Sequence, residues 1–374
     1  MRTDDFDYDL PKKFIAQHPA SPRDSSKLLV FERETGLIQH KKFSDLPEIL
    51  QPDDVLVINE SKVIPARLQT TQGREVFLAK RVANYCHPER SEGSSSGQRG
   101  GFFASLRMTK NMNDKAEIWE CLIRGGKHFS VGATFEIAKD PRSRSRTSFT
   151  GEVLEVLPDG ERVIRFHSKN FQKDLAKYGA SPLPPYIHQT AKKVPQYQTV
   201  YAKKAGSVAA PTAGLHFTER VFKKLHARGI QIEKITLHVG LGTFAPVKVS
   251  EIEKHEMHSE FFVLPEKVAD RLNKFKKQGR RIIAVGSTSC RVLESCADSK
   301  GVLHPKSGET DIFIFPGKKF KFIDGMLTNF HLPKSTLIML VAAFIGREKI
   351  LELYELAKRK NYRFFSFGDA TLLR

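Results

Sequence analysis

Cysteine is scarce. The 374 residues hold four, Cys86, Cys121, Cys290 and Cys296, with no CxxC among them. That scatter argues against a disulfide scaffold and a structural zinc site, and fits a reduced, cytoplasmic setting. Long apolar runs are missing too. The longest uncharged apolar stretch, Leu337 to Ile345, is nine residues, against the roughly 20 of a membrane helix. The start, Met1-Arg2-Thr3-Asp4-Asp5, lacks the apolar segment of a secretory signal. Acidic residues are in deficit: 42 Asp and Glu face 61 Lys and Arg, a formal charge of +19. Such a surplus attracts polyanions, nucleic acid first among them. At 40% hydrophobic content the chain can build a real core, and its length suits two domains.

The pattern along the chain divides it in three. Residues 1–62 open an α/β domain, with β-branched runs at Leu28 to Phe31 and Asp54 to Asn59. Residues 63–168 change texture. Short alternating stretches (74–78, 116–123, 134–137, 151–156 and 162–166) lie between Gly, Pro and charge, which predicts a small antiparallel barrel or sandwich. Within it, Ala83 to Lys115 is rich in Ser and Gly without sustained periodicity, and reads as an extra mobile loop. Arg142, Arg144 and Arg146 form a second basic loop. Residues 169–374 continue the α/β domain: helices are expected at 218–228, 264–279, 290–297, 336–344 and 349–359, and strands at 231–239, 281–285 and 363–367. The fold class is therefore a layered α/β domain with an inserted small antiparallel β-barrel domain.

Two apparent motifs dissolve on inspection. Gly240-Leu241-Gly242-Thr243-Phe244-Ala245 matches a dinucleotide fingerprint, but Pro246 and an extended run follow where a helix must begin. His255-Glu256-Met257-His258 lacks the four-residue histidine spacing of zincins. No GxSxG, Walker A or kinase set occurs, which leaves acyl and phosphoryl transfer without support.

Chemistry concentrates in dense polar and aromatic stretches at predicted strand ends: 209–217, 237–244, 286–291, 311–317 and 327–333. Repeated His, Thr, Asn and Phe there indicate a pocket where loops converge. These stretches resemble the S-adenosylmethionine:tRNA ribosyltransferase-isomerase family of queuosine biosynthesis. The likeness also takes in Ile15-Ala16-Gln17-His18-Pro19, Val63-Ile64-Pro65-Ala66-Arg67-Leu68, Leu183-Pro184-Pro185-Tyr186-Ile187, His255 to Phe261 and Tyr362 to Ala370. It departs at Lys62, where the family usually has Arg, at Cys290, where it often has Val, and in the additional 83–115 segment.

The resemblance implies an α/β domain with an inserted β-barrel and a metal-free enzyme without a permanently bound cofactor. S-adenosylmethionine is implied as co-substrate. Its ribosyl part is passed to 7-aminomethyl-7-deazaguanine at the wobble position of a tRNA with a GUN anticodon and isomerised, giving epoxyqueuosine-tRNA, adenine and methionine. A monomer without membrane attachment is expected. The rivals are an S-adenosylmethionine-dependent RNA methyltransferase, which lacks its Gly-rich strand–turn–helix here, and a non-catalytic tRNA-binding relic.

Such a reaction needs a base beside the sulfonium and an acid for departing adenine. Histidine suits both near neutral pH, which singles out His216 and His331, with His238 behind them. Each could equally be a satisfied structural histidine. Asp369, Asp311 or Glu260 could balance the sulfonium or accept from the amine, or could be paired carboxylates. Thr212, Gly214, Gly240, Gly242, Thr243, Thr288, Ser289, Arg291 and Asn329 are the candidate co-substrate contacts. Thr288, Ser289 and Arg291 could equally be a plain helix cap with a surface ion pair. Lys276, Lys277 and Arg280, then Lys318 and Lys319, then Arg363, belong to three basic clusters with interleaved aromatics that suit RNA phosphates.

Overall fold

A computed structural model describes residues 1–82, 117–138, 148–184, 186–187, 197–240, 242 and 247–374. The expected mobile loop at 83–115 and the arginines of the 142–146 loop lie outside the described residues. The strands in chain order are β1 (Lys27–Phe31), β2 (Ile38–Lys42), β3 (Val55–Asn59), β4 (Ser61–Val63), β5 (Arg67–Thr70), β6 (Glu75–Arg81), β7 (Glu117–Ile123), β8 (Thr134–Ala138) and β9 (Thr150–Val156). They continue as β10 (Arg162–His167), β11 (Lys204–Ser207), β12 (Gln231–Leu237), β13 (Glu260–Leu264), β14 (Ile282–Val285), β15 (Lys306–Thr310), β16 (Gly325–Asn329) and β17 (Ala370–Leu373). The helices are α1 (Leu46–Ile49), α2 (Phe171–Tyr178), α3 (Glu219–Ala227), α4 (Glu266–Lys277), α5 (Gly286–Cys296), α6 (Thr336–Ile345) and α7 (Arg347–Arg359).

The chain forms two compact units, Met1–Ile64 with Ser181–Arg374, and Pro65–Ala180. The first is built on a nine-stranded sheet ordered β15-β13-β12-β3-β14-β16-β17-β1-β2. At its centre β12, β3, β14 and β16 run parallel. Central parallel strands are covered on both faces and so read as unbroken apolar runs. Alternate residues pack to opposite sides. Val55, Val57, Ile282, Ala284 and Met326 join the core beneath α4 to α7. Leu56, Ile58, Ile283, Val285 and Leu327 join the core of Leu46, Val221 and Leu225 from α1 and α3. Local signals set two of the helix starts. Thr218 caps α3 by accepting from Val221 N, and Ser335 caps α6 by accepting from Ile338 N. No described helix is long and apolar enough to cross a membrane.

The second unit closes β10-β7-β6-β5-β8-β9 into an antiparallel barrel. Phe149, Phe166 and Phe171 meet at ring separations of 5.7 and 5.8 Å. Gly151 is required there, because a β-carbon would stand 2.4 Å from the Phe135 ring.

Beyond shifts of a residue or two at element ends, two expected elements differ. α5 begins at Gly286, four residues before Cys290. Gly286 makes the turn out of β14 at φ +83°, and the polar residues after it are already the first helical turn. Arg363 to Phe367 is not the last strand, which is β17. Phe365 adopts φ +74°, which breaks any extended run.

Candidate active site

The parallel strands β12, β3, β14 and β16 deliver their C-terminal ends to one side of the sheet, where ligands of α/β proteins bind. Asn59 ties two of these ends together. Its amide nitrogen donates to Leu237 O at 2.9 Å and its oxygen accepts from Leu237 N at 3.0 Å. Two hollows open there. The first is lined by Thr212, Gly286 to Thr288, Thr328, Asn329, His331, Phe365 and Ser366. The second is lined by Gly242, His255, His258, Glu260, Arg291 and Phe313 among others. Leu337 of α6 borders both, so the hollows adjoin.

A buried relay runs behind the first hollow. Thr212 Oγ1 donates to Asn329 Oδ1 at 3.1 Å. That turns the Asn329 amide nitrogen toward His216 Nε2, also at 3.1 Å. Nε2 therefore accepts, and Nδ1–H donates to Ser26 Oγ at 2.8 Å. The imidazole stacks on Phe43 with ring centres 5.0 Å apart. Burial, with Arg363 and Arg23 adding to it, pushes the His216 pKa down to about 3. His216 stands behind Asn329, and Asn329 meets the hollow.

His331 lines the hollow itself. Its Nε2 is 3.1 Å from Thr328 Oγ1. Its backbone is held on both sides: the amide donates to the Tyr354 hydroxyl at 3.0 Å, and the carbonyl accepts from Tyr8. Burial pushes this imidazole, too, down to about 3. Both histidines are uncharged at neutral pH, each with one ring nitrogen to accept and one N–H to donate.

The opposite wall is the first turn of α5. Its leading N–H groups have no partners within the helix and carry the positive end of its dipole. The N-cap residue, Val285, offers them no side-chain cap. Thr288 is 8% exposed, and its hydroxyl, like that of Ser289, is buried without a hydrogen-bond partner among the described residues. Thr288 faces the hollow, whereas Ser289 does not line it. An anion and a hydroxyl acceptor would satisfy this wall.

In the second hollow, Glu260 and Arg291 form a buried ion pair. Glu260 Oε1 also accepts from Gly240 N at 2.9 Å. Arg291 sends its other nitrogens to Thr310 O and Ile312 O, each at 3.4 Å. Its guanidinium is thus engaged by the protein, and it is a fixed countercharge more than a ligand contact. His255 meets the Phe313 ring edge-on at 5.4 Å, and burial with neighbouring His258 lowers its pKa. Gly242 lies flat on His258, where a β-carbon would be 2.2 Å from the ring.

The structure brings Thr212, Thr288, Asn329 and His331 together around one hollow, and Gly242 and Arg291 around the other. Thr243 lies outside the described residues. Asp369 is buried, and its carboxylate accepts from Lys27 N, Arg363 N and Arg363 Nη2 at 2.8 to 3.1 Å. Arg363 Nη1 donates to His18 O at 3.1 Å. Gly214 is a packing glycine: a β-carbon would fall 1.9 Å from the Tyr201 hydroxyl. Gly214→Ala is expected to destabilise the protein by about 1–3 kcal/mol through overpacking, measured by chemical denaturation.

The basic clusters separate as well. Lys276 is in the last turn of α4 and Arg280 precedes the start of β14, the far end of that strand from the hollows. Lys276 is bonded to Asp324 at 2.5 Å and to Phe322 O, and Arg280 to Asp53 O and Pro52 O. Lys277 beside them is exposed. Lys318 and Lys319 are exposed and follow directly on the segment lining the second hollow. Thr328, Phe365 and Ser366 are contributors that residue type alone does not single out. Phe365 carries the left-handed backbone, packs on Tyr186 at 4.1 Å, and places Ser366 against the Tyr186 hydroxyl. No group of three or more His, Cys, Asp or Glu among the described residues is arranged to hold a metal ion.

The family model described as queuosine biosynthesis protein matches residues 3–373. A protein of Desulfitobacterium hafniense named S-adenosylmethionine:tRNA ribosyltransferase-isomerase is 46% identical over 374 residues, covering both chains fully. One of the same name from Acetivibrio thermocellus is 44% identical, again with full coverage of both. A crystal structure of S-adenosylmethionine tRNA ribosyltransferase from Thermotoga maritima superposes with a TM-score of 0.51 at 32% identity, covering 99% of this chain and 100% of the other.

Proposed function

The chain belongs to the queuosine biosynthesis protein family, and from that premise we propose that it is an S-adenosylmethionine:tRNA ribosyltransferase-isomerase. It transfers and isomerises the ribosyl moiety of S-adenosylmethionine onto 7-aminomethyl-7-deazaguanine at the wobble position of tRNA. Epoxyqueuosine-tRNA, adenine and methionine are the products. The observation that carries this reading is the full-length match to relatives of that name. Two adjoining hollows at the strand ends support it, because the reaction must hold two substrates in contact. In this reading the tRNA bears a GUN anticodon and the enzyme works as a cytoplasmic monomer without a metal.

The first hollow suits the co-substrate. The α5 amides and the Thr288 hydroxyl suit its carboxylate, and Asn329, held by Thr212 and His216, suits a ribose hydroxyl. The sulfonium acidifies the adjacent carbon, and the neutral imidazole of His331 is the proton acceptor lining the hollow. His216 is a positioning residue for Asn329. Asp369, with three donors on its carboxylate, positions Arg363 and the start of β1. Lys318, Lys319 and Arg363 attract the RNA backbone near the hollows, and Lys276, Lys277 and Arg280 do so at the more distant edge.

Incubation with S-adenosylmethionine and tRNA carrying the 7-aminomethyl-7-deazaguanine base is expected to release adenine and convert the base to epoxyqueuosine by mass. S-adenosylhomocysteine in place of adenine would identify a methyltransferase. Intact co-substrate, with tRNA bound only at low salt, would identify a binding protein.

A further inference from the structure

Beside the first hollow stands a short ribbon whose charge the reaction chemistry does not use. β3 ends at Asn59, on the side of the sheet where the hollows open, and after Glu60 the chain continues as β4, which pairs in parallel with β11. Lys204 lies opposite Ser61, and Ala205 opposite Lys62. The ribbon is fixed at its base, where Glu60 O accepts from Lys203 N at 2.8 Å and from Lys204 N at 3.1 Å. Gln198 brackets Val63, its Oε1 accepting from Val63 N at 3.2 Å and its Nε2 donating to Val63 O at 3.3 Å. At the other end Ser207 O accepts from Ile64 N at 2.9 Å, and Ser207 Oγ from Val239 N at 3.0 Å. Val239 itself lines the first hollow.

Lys62, Lys203 and Lys204 are exposed on this platform. No ion pair or side-chain hydrogen bond engages them among the described residues. Glu60 is the acid between them, so the ribbon keeps a positive surplus. Lys276 and Arg280, by contrast, have their donors engaged by protein acceptors at the opposite end of β14. β11 runs four residues from Lys204 to Ser207, about 13 Å, and Ala210 to Ala213 just beyond it line the first hollow. Lysines so placed stand back from the reacting atoms and beside the backbone of a nucleotide inserted into the site. We propose that the β4–β11 ribbon is a docking surface for phosphates of the tRNA anticodon loop, with Lys62, Lys203 and Lys204 as its contacts, a reading that rests on the tRNA-modifying activity. Phosphate contacts of this kind set the register of the RNA without reading its sequence. Lys318 and Lys319 stand exposed beside the second hollow, so the backbone on either side of the wobble nucleotide meets positive charge.

The test is the salt dependence of binding, measured with full-length tRNA and with its isolated anticodon stem-loop, for wild type and for the triple variant Lys62→Gln, Lys203→Gln, Lys204→Gln. Removing three phosphate contacts is expected to make the slope of log Kd against log salt shallower by about 2 and to weaken binding about 10- to 100-fold near 0.1 M salt, for both RNAs. The turnover number at saturating tRNA and the KM for S-adenosylmethionine should stay at wild-type values. The matching triple change to Arg, which keeps the charge, should retain the wild-type slope. An unchanged slope in the Gln variant overturns the proposal. So does a loss seen with full-length tRNA and not with the stem-loop, which would place these lysines away from the wobble nucleotide. A fall in turnover or in S-adenosylmethionine affinity with tRNA binding intact overturns it as well, since the ribbon would then shape the hollow instead. Binding is read without turnover, so a wild-type protein that shows the expected slopes but releases no adenine would overturn the activity and leave the ribbon an RNA-binding surface.

Discussion

His331→Ala is expected to lower kcat for adenine release by about 10²- to 10⁴-fold, the range for removing a positioned acid–base group, with the co-substrate still bound. The reason lies in how His331 is held. Its amide and carbonyl are fixed by Tyr354 and Tyr8, so truncating the side chain removes the imidazole without releasing the loop. Thr328 Oγ1 at 3.1 Å fixes the ring in turn. His216→Ala should behave differently. It removes the acceptor that orients the Asn329 amide and leaves a void against Phe43. Both stability and co-substrate affinity should suffer there, with a smaller specific effect on turnover. A His331→Ala enzyme with near-normal turnover and a folded far-UV spectrum would remove His331 from the chemistry. Equal losses of kcat and affinity in both variants would reduce both histidines to structural members of one network.

Much of the fold can be read along the chain because its signals are local. Period-two alternation marks the barrel strands, and Thr218 and Ser335 announce the helices that follow them. The exceptions are places where one residue's backbone overrides the pattern. Ser287-Thr288-Ser289 reads as a cap before a helix at Cys290, yet Gly286 turns the chain sharply enough for α5 to start at once. Arg363 to Phe367 has the aromatic content of a strand, but the left-handed Phe365 turns it into a loop that buries Phe364 beneath the sheet and brings Phe365 to the hollow. The site was less legible, because partnership decides what a polar residue does. Nothing in the sequence around His216 reveals that Ser26, 190 positions away, occupies one nitrogen and Asn329 the other. Glu260 and Arg291, 31 positions apart, become a buried ion pair only once β13 lies beside α5. Asp369 has the look of a catalytic carboxylate until its three backbone and guanidinium donors are counted.

The same burial that keeps His216 and His331 neutral should make the protein acid-labile above the range where carboxylates titrate. In the unfolded chain each imidazole takes up a proton near pH 6.5, whereas in the fold neither does until about pH 3. Between those limits the unfolded state binds more protons, so stability rises with pH through the window and levels off above it. At about 1.4 kcal/mol per pH unit for each group, going from pH 7.5 to pH 5 removes about 2 kcal/mol per histidine and about 4 kcal/mol for the pair. Against a typical stability of about 5–15 kcal/mol, that is a large fraction. His40 and His255 are also pushed down, by burial with Lys360 and Lys27 in one case and with His258 in the other, and they add in the same direction. The readout has to come from the right unit. Trp119, the only tryptophan, belongs to the barrel, so its fluorescence reports the unit without these histidines. Amide exchange of Leu327 to Asn329 on β16 reports the unit that contains them. Protection there should fall steeply between pH 7.5 and pH 5 after correction for intrinsic exchange, and His331→Gln should flatten the slope by one proton. A stability that stays level across this window would mean that the two imidazoles are protonated in the fold, and the relay from Ser26 through His216 to Asn329 would then have to be redrawn with His216 Nε2 as donor.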